Sequence, residues 1–356
     1  MAEAKSFSLL CLENPLLDIQ AKGDQALLEK YGLKANDAIL AEDKHMTLYD
    51  ELLSRDAKII AGGAAQNTAR GAQVSLSRYN YQGLKLRTIQ QYCLPPNSVW
   101  YIGCVGKDDA AKQLTTACEN EGVHTEYRID DAQPTGKCGV IITGHHRSMV
   151  THLAAANEYK LDHLTQPHVW SLVEKTSVFY IGGYHLTVCP PAILKLGEEA
   201  ASKNKIFALG FSAPFILQFF KDPLAEVLPY TDYIFCNEAE AEAWAQANGH
   251  ETKSVPEIAK LIAKLPKKNE KRPRTVIITQ GTEPTISAIA KADGDVDVKE
   301  YSVHAIREEQ INDTNGAGDA FAGGFMAALV EGKPLEACVD QGQWLARLGI
   351  QELGAS

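Results

Sequence analysis

From Val99 onward the sequence alternates two periods: short β-rich runs recur between longer stretches whose apolar residues return at helical spacing. The runs Val99–Val105, Val178–Ile181, Ile206–Phe211, Tyr233–Cys236 and Thr275–Thr279 are expected as strands. Ala110–Glu121, Pro191–Ser202, Glu238–Asn248 and Val255–Leu265 are expected as the helices between them. Strands spaced in this way imply βαβ units, and so an α/β fold with a mostly parallel central sheet flanked by helices. Ligands in such folds bind beyond the carboxyl ends of the strands. The loops that start near Gly182, Ser212, Asn237 and Gln280 then share one edge.

Two segments break the rhythm. Leu17–Ile60 is rich in charge and mixed in period, and Thr125–Ala155 reads as two alternating strands, Cys138–Thr143 and Ser148–Leu153, around a Gly144–His146 turn. Together they predict a smaller β-rich lid of residues 17–64 and 124–156, set against a large unit of 1–16, 65–123 and 157–356. Gln82–Asn97 is a polar, proline-containing excursion with no assignment.

Thirty-five basic residues against forty-five acidic ones give a formal charge of −10, and no basic face is concentrated enough for nucleic acid. A polyanionic ligand must be met by local donors or by a metal, not by the field of the whole chain. The eight cysteines show no C-x-x-C pair, which fits reduced thiols in the cytosol. No stretch approaches the roughly 18 apolar residues of a membrane span. The start of the chain lacks the basic and apolar regions of a signal peptide. The sequon Asn312-Asp313-Thr314 reads as a chance match, and His145, His146 and His152 as imidazoles on a strand rather than metal ligands.

The chemistry concentrates in Asn312–Phe325. Gly316 and Gly318 let a loop turn its amides toward one point, just before the small and apolar run Ala320–Val330 suited to a buried helix. Those amides and the positive helix end form a candidate anion hole for a phosphoryl group. Asp319 falls in the first turn, where a carboxylate either simply favours the helix or serves as a general base. A dinucleotide fingerprint fails because position 321 is Phe, and neither a P-loop nor the protein-kinase motifs occur.

Asp313–Gly324 resembles the C-terminal signature of the ribokinase-like carbohydrate and nucleoside kinases, and Ala61–Asn67 resembles their N-terminal one. Glu13–Ile19, Gln133–Gly136, Arg147-Ser148, Leu153–Asn157, Leu209–Phe215 and Cys236–Glu240 are similar to the members that phosphorylate adenosine, in collinear order from about residue 7 to 353. The resemblance implies transfer of the ATP γ-phosphate to the 5′-hydroxyl of adenosine, with Mg²⁺ as cofactor, in a cytosolic or nuclear monomer. It makes Asp319 the base, Gly316, Ala317 and Gly318 the anion hole, and Arg147 a lid cation over the phosphoryl group. Asp18, Gly62, Gly63 and Asn67 are implied around the ribose, and Asn14, Leu16, Tyr184 and Phe215 around the base. Asn237, Thr279, Gly281, Asn315, Gly316 and Gly318 are implied for ATP, with Asn237 and Glu240 holding Mg²⁺ through water. Residue by residue, plainer readings stand beside these. Asn237-x-x-Glu240 is also a common helix N-cap pattern, and Tyr184 and Phe215 also suit a core. Ala64 and Gly210 depart from relatives that carry serine and asparagine there. Another sugar or nucleoside kinase, or a catalytically silent nucleoside-binding protein of the same fold, remains the alternative.

Overall fold

The computed structural model describes residues 8–35, 38–73, 94, 97–144, 146–291 and 293–351. Its strands, numbered along the chain, divide into two sheets. The larger holds β1 (Leu9–Leu12), β5 (Val99–Gly106), β6 (His124–Asp130), β9 (Val178–Ile181), β10 (Ile206–Gly210), β11 (Tyr233–Asn237), β12 (Thr275–Gln280), β13 (Glu283–Ala290) and β14 (Val296–Tyr301). Their spatial order is β14-β13-β12-β11-β10-β9-β1-β5-β6, parallel except for the antiparallel β12-β13-β14 end. The smaller sheet runs β3 (Ala38–Leu40), β8 (His146–His152), β7 (Lys137–Thr143), β2 (Leu16–Lys22) and β4 (Lys58–Gly62).

The helices used below are α1 (Gln25–Tyr31), α2 (Leu48–Leu53), α3 (Ala64–Gln73), α4 (Asp109–Asn120), α5 (Pro190–Lys203), α6 (Glu238–Ala247), α7 (Val255–Ala263), α8 (Ala317–Val330) and α9 (Leu335–Gly349). Both faces of the large sheet are covered, because successive side chains of a strand point opposite ways. On β1, Leu10 and Leu12 pack with Ile193 of α5, Trp244 of α6 and Ile258 of α7, while Leu9 and Cys11 pack with Ala65 of α3 and Phe325 of α8. The second layer is unusually close. A Cβ on Gly323 would lie 2.9 Å from Thr68 O, so α8 meets α3 backbone to backbone. That contact sets where the residues at the amino ends of both helices stand.

The small sheet is covered by helices on one face. Ile19, Ile141 and Val150 pack under α1 and α2 with Leu27, Leu48 and Tyr49. Alternate positions of the same strands, Asp18, Cys138, Met149 and Thr151, face a cavity instead.

The expected strands and helices of the parallel sheet are present within a few residues. The charged segment 17–60, expected in the β-rich lid, folds as β2, β3 and β4 with α1 and α2 between them. Two features differ. The strand β6, which the sequence reading gave to the small unit, pairs in parallel with β5 at the edge of the large sheet. Beyond Thr279 the large sheet continues into the antiparallel pair β13-β14. Most of Gln82–Asn97, and His145, lie outside the described residues. Among the described residues no helix is long and apolar enough to cross a membrane.

Candidate active site

A cavity of about 300 Å³ opens where the carboxyl ends of the large sheet meet the open face of the small one. Its floor is the start of α8. Gly316 takes a left-handed conformation, φ 74°, and no side chain caps the helix. Ala317 N–H reaches Thr314 O at 3.3 Å, but among the described residues no hydrogen bond claims the Gly318 amide, and the space beside Gly318 is open. An uncapped helix start of fourteen residues offers donors and a positive dipole end to an anion.

Asp319 stands in that first turn. Its Oδ2 accepts from Asn67 Nδ2 at 3.0 Å, across the close α3–α8 contact. Although the carboxyl faces the cavity, the surrounding protein desolvates it and pushes its pKa up to about 7, with the Asn67 amide pulling the other way. Asp18 on β2 is buried on the opposite wall, also raised to about 7 by burial and then by the charge of Asp319, with Arg70 opposing. Gly62 makes room for it, since a Cβ there would lie 2.3 Å from the Asp18 carboxyl. Gly63, at φ 97°, leaves backbone where a Cβ would meet Asn14 O at 2.6 Å. The chain therefore presents main chain, not side chain, between the two carboxyls.

At the end of β11, Asn237 and Glu240 form a reciprocal cap on α6. Asn237 Oδ1 accepts from Glu240 N at 2.8 Å, while Glu240 accepts from Asn237 N at 3.1 Å and from Nδ2 at 3.0 Å. The plain helix-cap reading is thus present in full, and both residues also line the cavity. Glu240 is raised to about 7, chiefly by burial. Among the described residues the lining includes four carboxyls, Glu13, Asp18, Glu240 and Asp319, and no Lys, Arg or His side chain.

A second wall carries aromatic surface. Tyr184 and Phe215 sit with ring centroids 6.0 Å apart and planes tilted by 37°. Asn14 Nδ2 reaches Tyr184 O at 3.5 Å, and Asn14 Oδ1 lies 3.0 Å from His185 Nδ1. The site thus combines a carboxyl beside an anion-binding helix start, a facing carboxyl beside bare backbone, and an apolar slot.

Known proteins resemble the chain along nearly its whole length. The model of the pfkB family carbohydrate kinases matches residues 25–356. The chain belongs to that family. An adenosine kinase of Schizophyllum commune is 46% identical over 98% of this chain and 96% of its own length. The solved adenosine kinase of Anopheles gambiae, in complex with P1,P4-di(adenosine-5) tetraphosphate, superposes with a TM-score of 0.90 at 40% identity, covering 99% of this chain and 97% of that one. That of Schistosoma mansoni with 2-fluoroadenosine gives 0.89 at 36%, covering 99% and 98%.

Of the site residues expected for a pfkB family kinase, the structure gathers most around one cavity. Asn14, Leu16, Asp18, Gly63, Asn67, Tyr184, Phe215, Asn237, Glu240, Thr279, Asn315, Gly316, Ala317, Gly318 and Asp319 all line it. Three do not. Gly62 lies behind Asp18, and Gly281 turns at the β12–β13 hairpin with φ 58°. Arg147 is buried rather than solvated: its Nε donates to Asp313 Oδ1 at 2.9 Å, joining β8 to the loop before α8. Gly210 lines the cavity, and a Cβ there would meet Tyr180 OH at 2.8 Å. Sequence reasoning missed Glu13 and Ser212. Ser212 holds φ 68° and accepts Gly183 N–H at 2.8 Å. Glu13 had a signal, a carboxylate directly after the fully buried run Leu9–Leu12.

Proposed function

We propose that the chain transfers the γ-phosphoryl group of ATP to the 5′-hydroxyl of adenosine, giving AMP and ADP, a purine-salvage reaction. One observation carries the reading: Asp319, oriented by Asn67, stands at an uncapped helix start inside the cavity whose other wall presents Asp18. The sequence similarity to adenosine kinases along nearly the whole chain supports the choice of acceptor.

In this reading Asp18 accepts from two adjacent ribose hydroxyls, which a carboxylate suits because it takes hydrogen bonds side by side. Gly63 lets the sugar approach backbone, and Asn67 adds a donor and an acceptor. Tyr184, Phe215 and Leu16 enclose the base, with Asn14 to orient it. Asp319 takes the 5′-hydroxyl proton through Oδ1, since Oδ2 is occupied by Asn67. As the new O–P bond forms, the bond to ADP breaks and the electron pair leaves with ADP. The Gly316–Gly318 amides hold the transferring group, and Asn237, Thr279 and Asn315 flank the remaining phosphates. Arg147 meets the phosphoryl group only if it leaves Asp313, so the five-stranded sheet acts as a lid whose closure exchanges one anionic partner for another.

Asn237 and Glu240 fit Mg²⁺ held through water, because both Glu240 oxygens are already engaged by Asn237 and a buried carboxyl remains as the source of charge. The ion supplies neutralisation of phosphate charge that a cavity lined by carboxyls does not. A monomer in the cytosol suits the reading. The test is a coupled assay of ATP turnover on adenosine, guanosine, inosine, ribose and fructose. Turnover greatest with adenosine and product AMP are expected. Adenosine binding without AMP formation would make the chain a silent binder, and preference for a bare sugar would move it to another branch of the family.

A further inference from the structure

Glu13 directly follows β1, an interior strand of the large sheet, and is 1% exposed. Its Oε2 accepts Ala65 N–H at 2.9 Å, so a residue 52 positions upstream caps the first turn of α3. Its Oε1 is buried without a hydrogen-bond partner, in space that exists only because residue 182 is glycine: a Cβ there would lie 1.9 Å from Oε1. The same helix α3 carries Asn67, which holds Asp319. Glu13 lines the cavity and therefore stands one link, through α3 and Asn67, from Asp319.

We propose that Glu13 is a positioning residue for phosphoryl transfer: a carboxylic acid that keeps its proton, ties α3 to the end of β1, and through Asn67 fixes the orientation of Asp319. This rests on the reading of the cavity as a kinase site. The geometry favours the neutral form, because Oε1 makes no hydrogen bond and a buried carboxylate would rest on the Ala65 amide with only a weaker pull from that of Tyr184. The groups that face it are Cys11 on the preceding strand β1, Tyr101 on β5, Tyr180 on β9, Tyr184 in the turn beyond β9, and Asp319 on α8. None is a cation. Burial above all, and then the Asp319 charge, raise Glu13 to about 8 against the pull of the Ala65 and Tyr184 amides. Both carboxyls are raised by burial, and the Asp319 charge further opposes ionisation of Glu13. Ionisation of Glu13 adds a second negative charge behind the base and beside the incoming phosphoryl group.

The experiment compares the wild type, Glu13→Gln and Glu13→Ala by kcat and KM across the pH range, and by thermal unfolding across the same range. Wild-type kcat should decline above about pH 8, and Glu13→Gln, which keeps the acceptor but cannot ionise, should lose that decline. Glu13→Ala should lower kcat about 5–10-fold at neutral pH with a smaller change in KM, as expected for loss of a helix cap felt at the reacting group, and Glu13→Gln should restore most of it. The unfolding series needs no turnover. With the folded pKa above the unfolded one, the stability of wild type relative to Glu13→Gln should be greatest below about pH 4.5 and fall as pH rises to about 8. If Glu13→Ala does not fold, the wild type and Glu13→Gln alone carry the comparison. An alkaline decline that persists in Glu13→Gln, or a stability difference flat with pH, overturns the proposal. A wild type that makes no AMP overturns the kinase reading instead, and the unfolding series then decides the protonation of Glu13 by itself.

Discussion

The two sheets differ in how many faces they cover with helices, and the cavity lies where that difference falls. The large sheet buries both faces: Leu9 and Cys11 enter one apolar cluster, Leu10 and Leu12 the other. The small sheet buries Ile19, Ile141 and Val150 under its helices and turns Asp18, Cys138, Met149 and Thr151 to the cavity. A sheet with an open face can carry a carboxyl at a strand centre, as β2 does at Asp18. A sheet covered on both sides has room for functional groups only at strand ends and helix starts, which is where Asp319, Asn237 and Glu13 stand. In the function proposed above, the first serves as the wall that moves and the second as the wall that fixes the reacting groups.

Substitutions on the two walls should therefore fail differently. The largest effect belongs to the fixed wall: Asp319→Asn should lose roughly 10²–10⁴-fold in kcat while still binding adenosine in calorimetry. Next comes the link between the walls. Arg147→Ala removes one partner of a buried ion pair with Asp313, and denaturant unfolding should show a loss of about 3–5 kcal/mol together with a fall in kcat. On the moving wall, Asp18→Asn should raise the adenosine KM about 10–100-fold with less change in kcat, the scale of a hydrogen bond to a charged group. Equal losses of kcat from Asp18→Asn and Asp319→Asn would erase the distinction between the walls. The smallest effect is graded. Asp319 is raised to about 7 and must be ionised to accept a proton, so kcat should fall as pH drops below about 7, by up to about tenfold per unit. That limb should vanish in the residual activity of Asp319→Asn.

The same contrast explains what the sequence disclosed. The parallel strands were legible because strands buried on both faces are continuous apolar runs, Tyr233–Cys236 and Thr275–Thr279 among them. In β2 an acidic residue at the cavity side, Asp18, interrupts the apolar pattern, and β4 begins with Lys58, so neither read as a strand. The strand β6, HTEYRID, is polar because it lies at a sheet edge, and local pattern could not assign it to one sheet or the other. The α8 start was legible through its glycines, whose close packing demands are local. The partner of Arg147 was not: its pairing with Asp313 spans 166 residues and depends on how the small sheet sits against the loop before α8. The run Leu9–Leu12 marked the place of Glu13 but not its role, which follows from the distant Ala65 and Gly182.

A crystal structure of the protein with adenosine bears most directly on the central claim. The ribose should lie between the two walls, its secondary hydroxyls on Asp18 and its 5′-oxygen within roughly 2.6–3.2 Å of the free Asp319 oxygen. Adenosine bound with its 5′-oxygen turned away from Asp319, or seated outside the cavity, would contradict it.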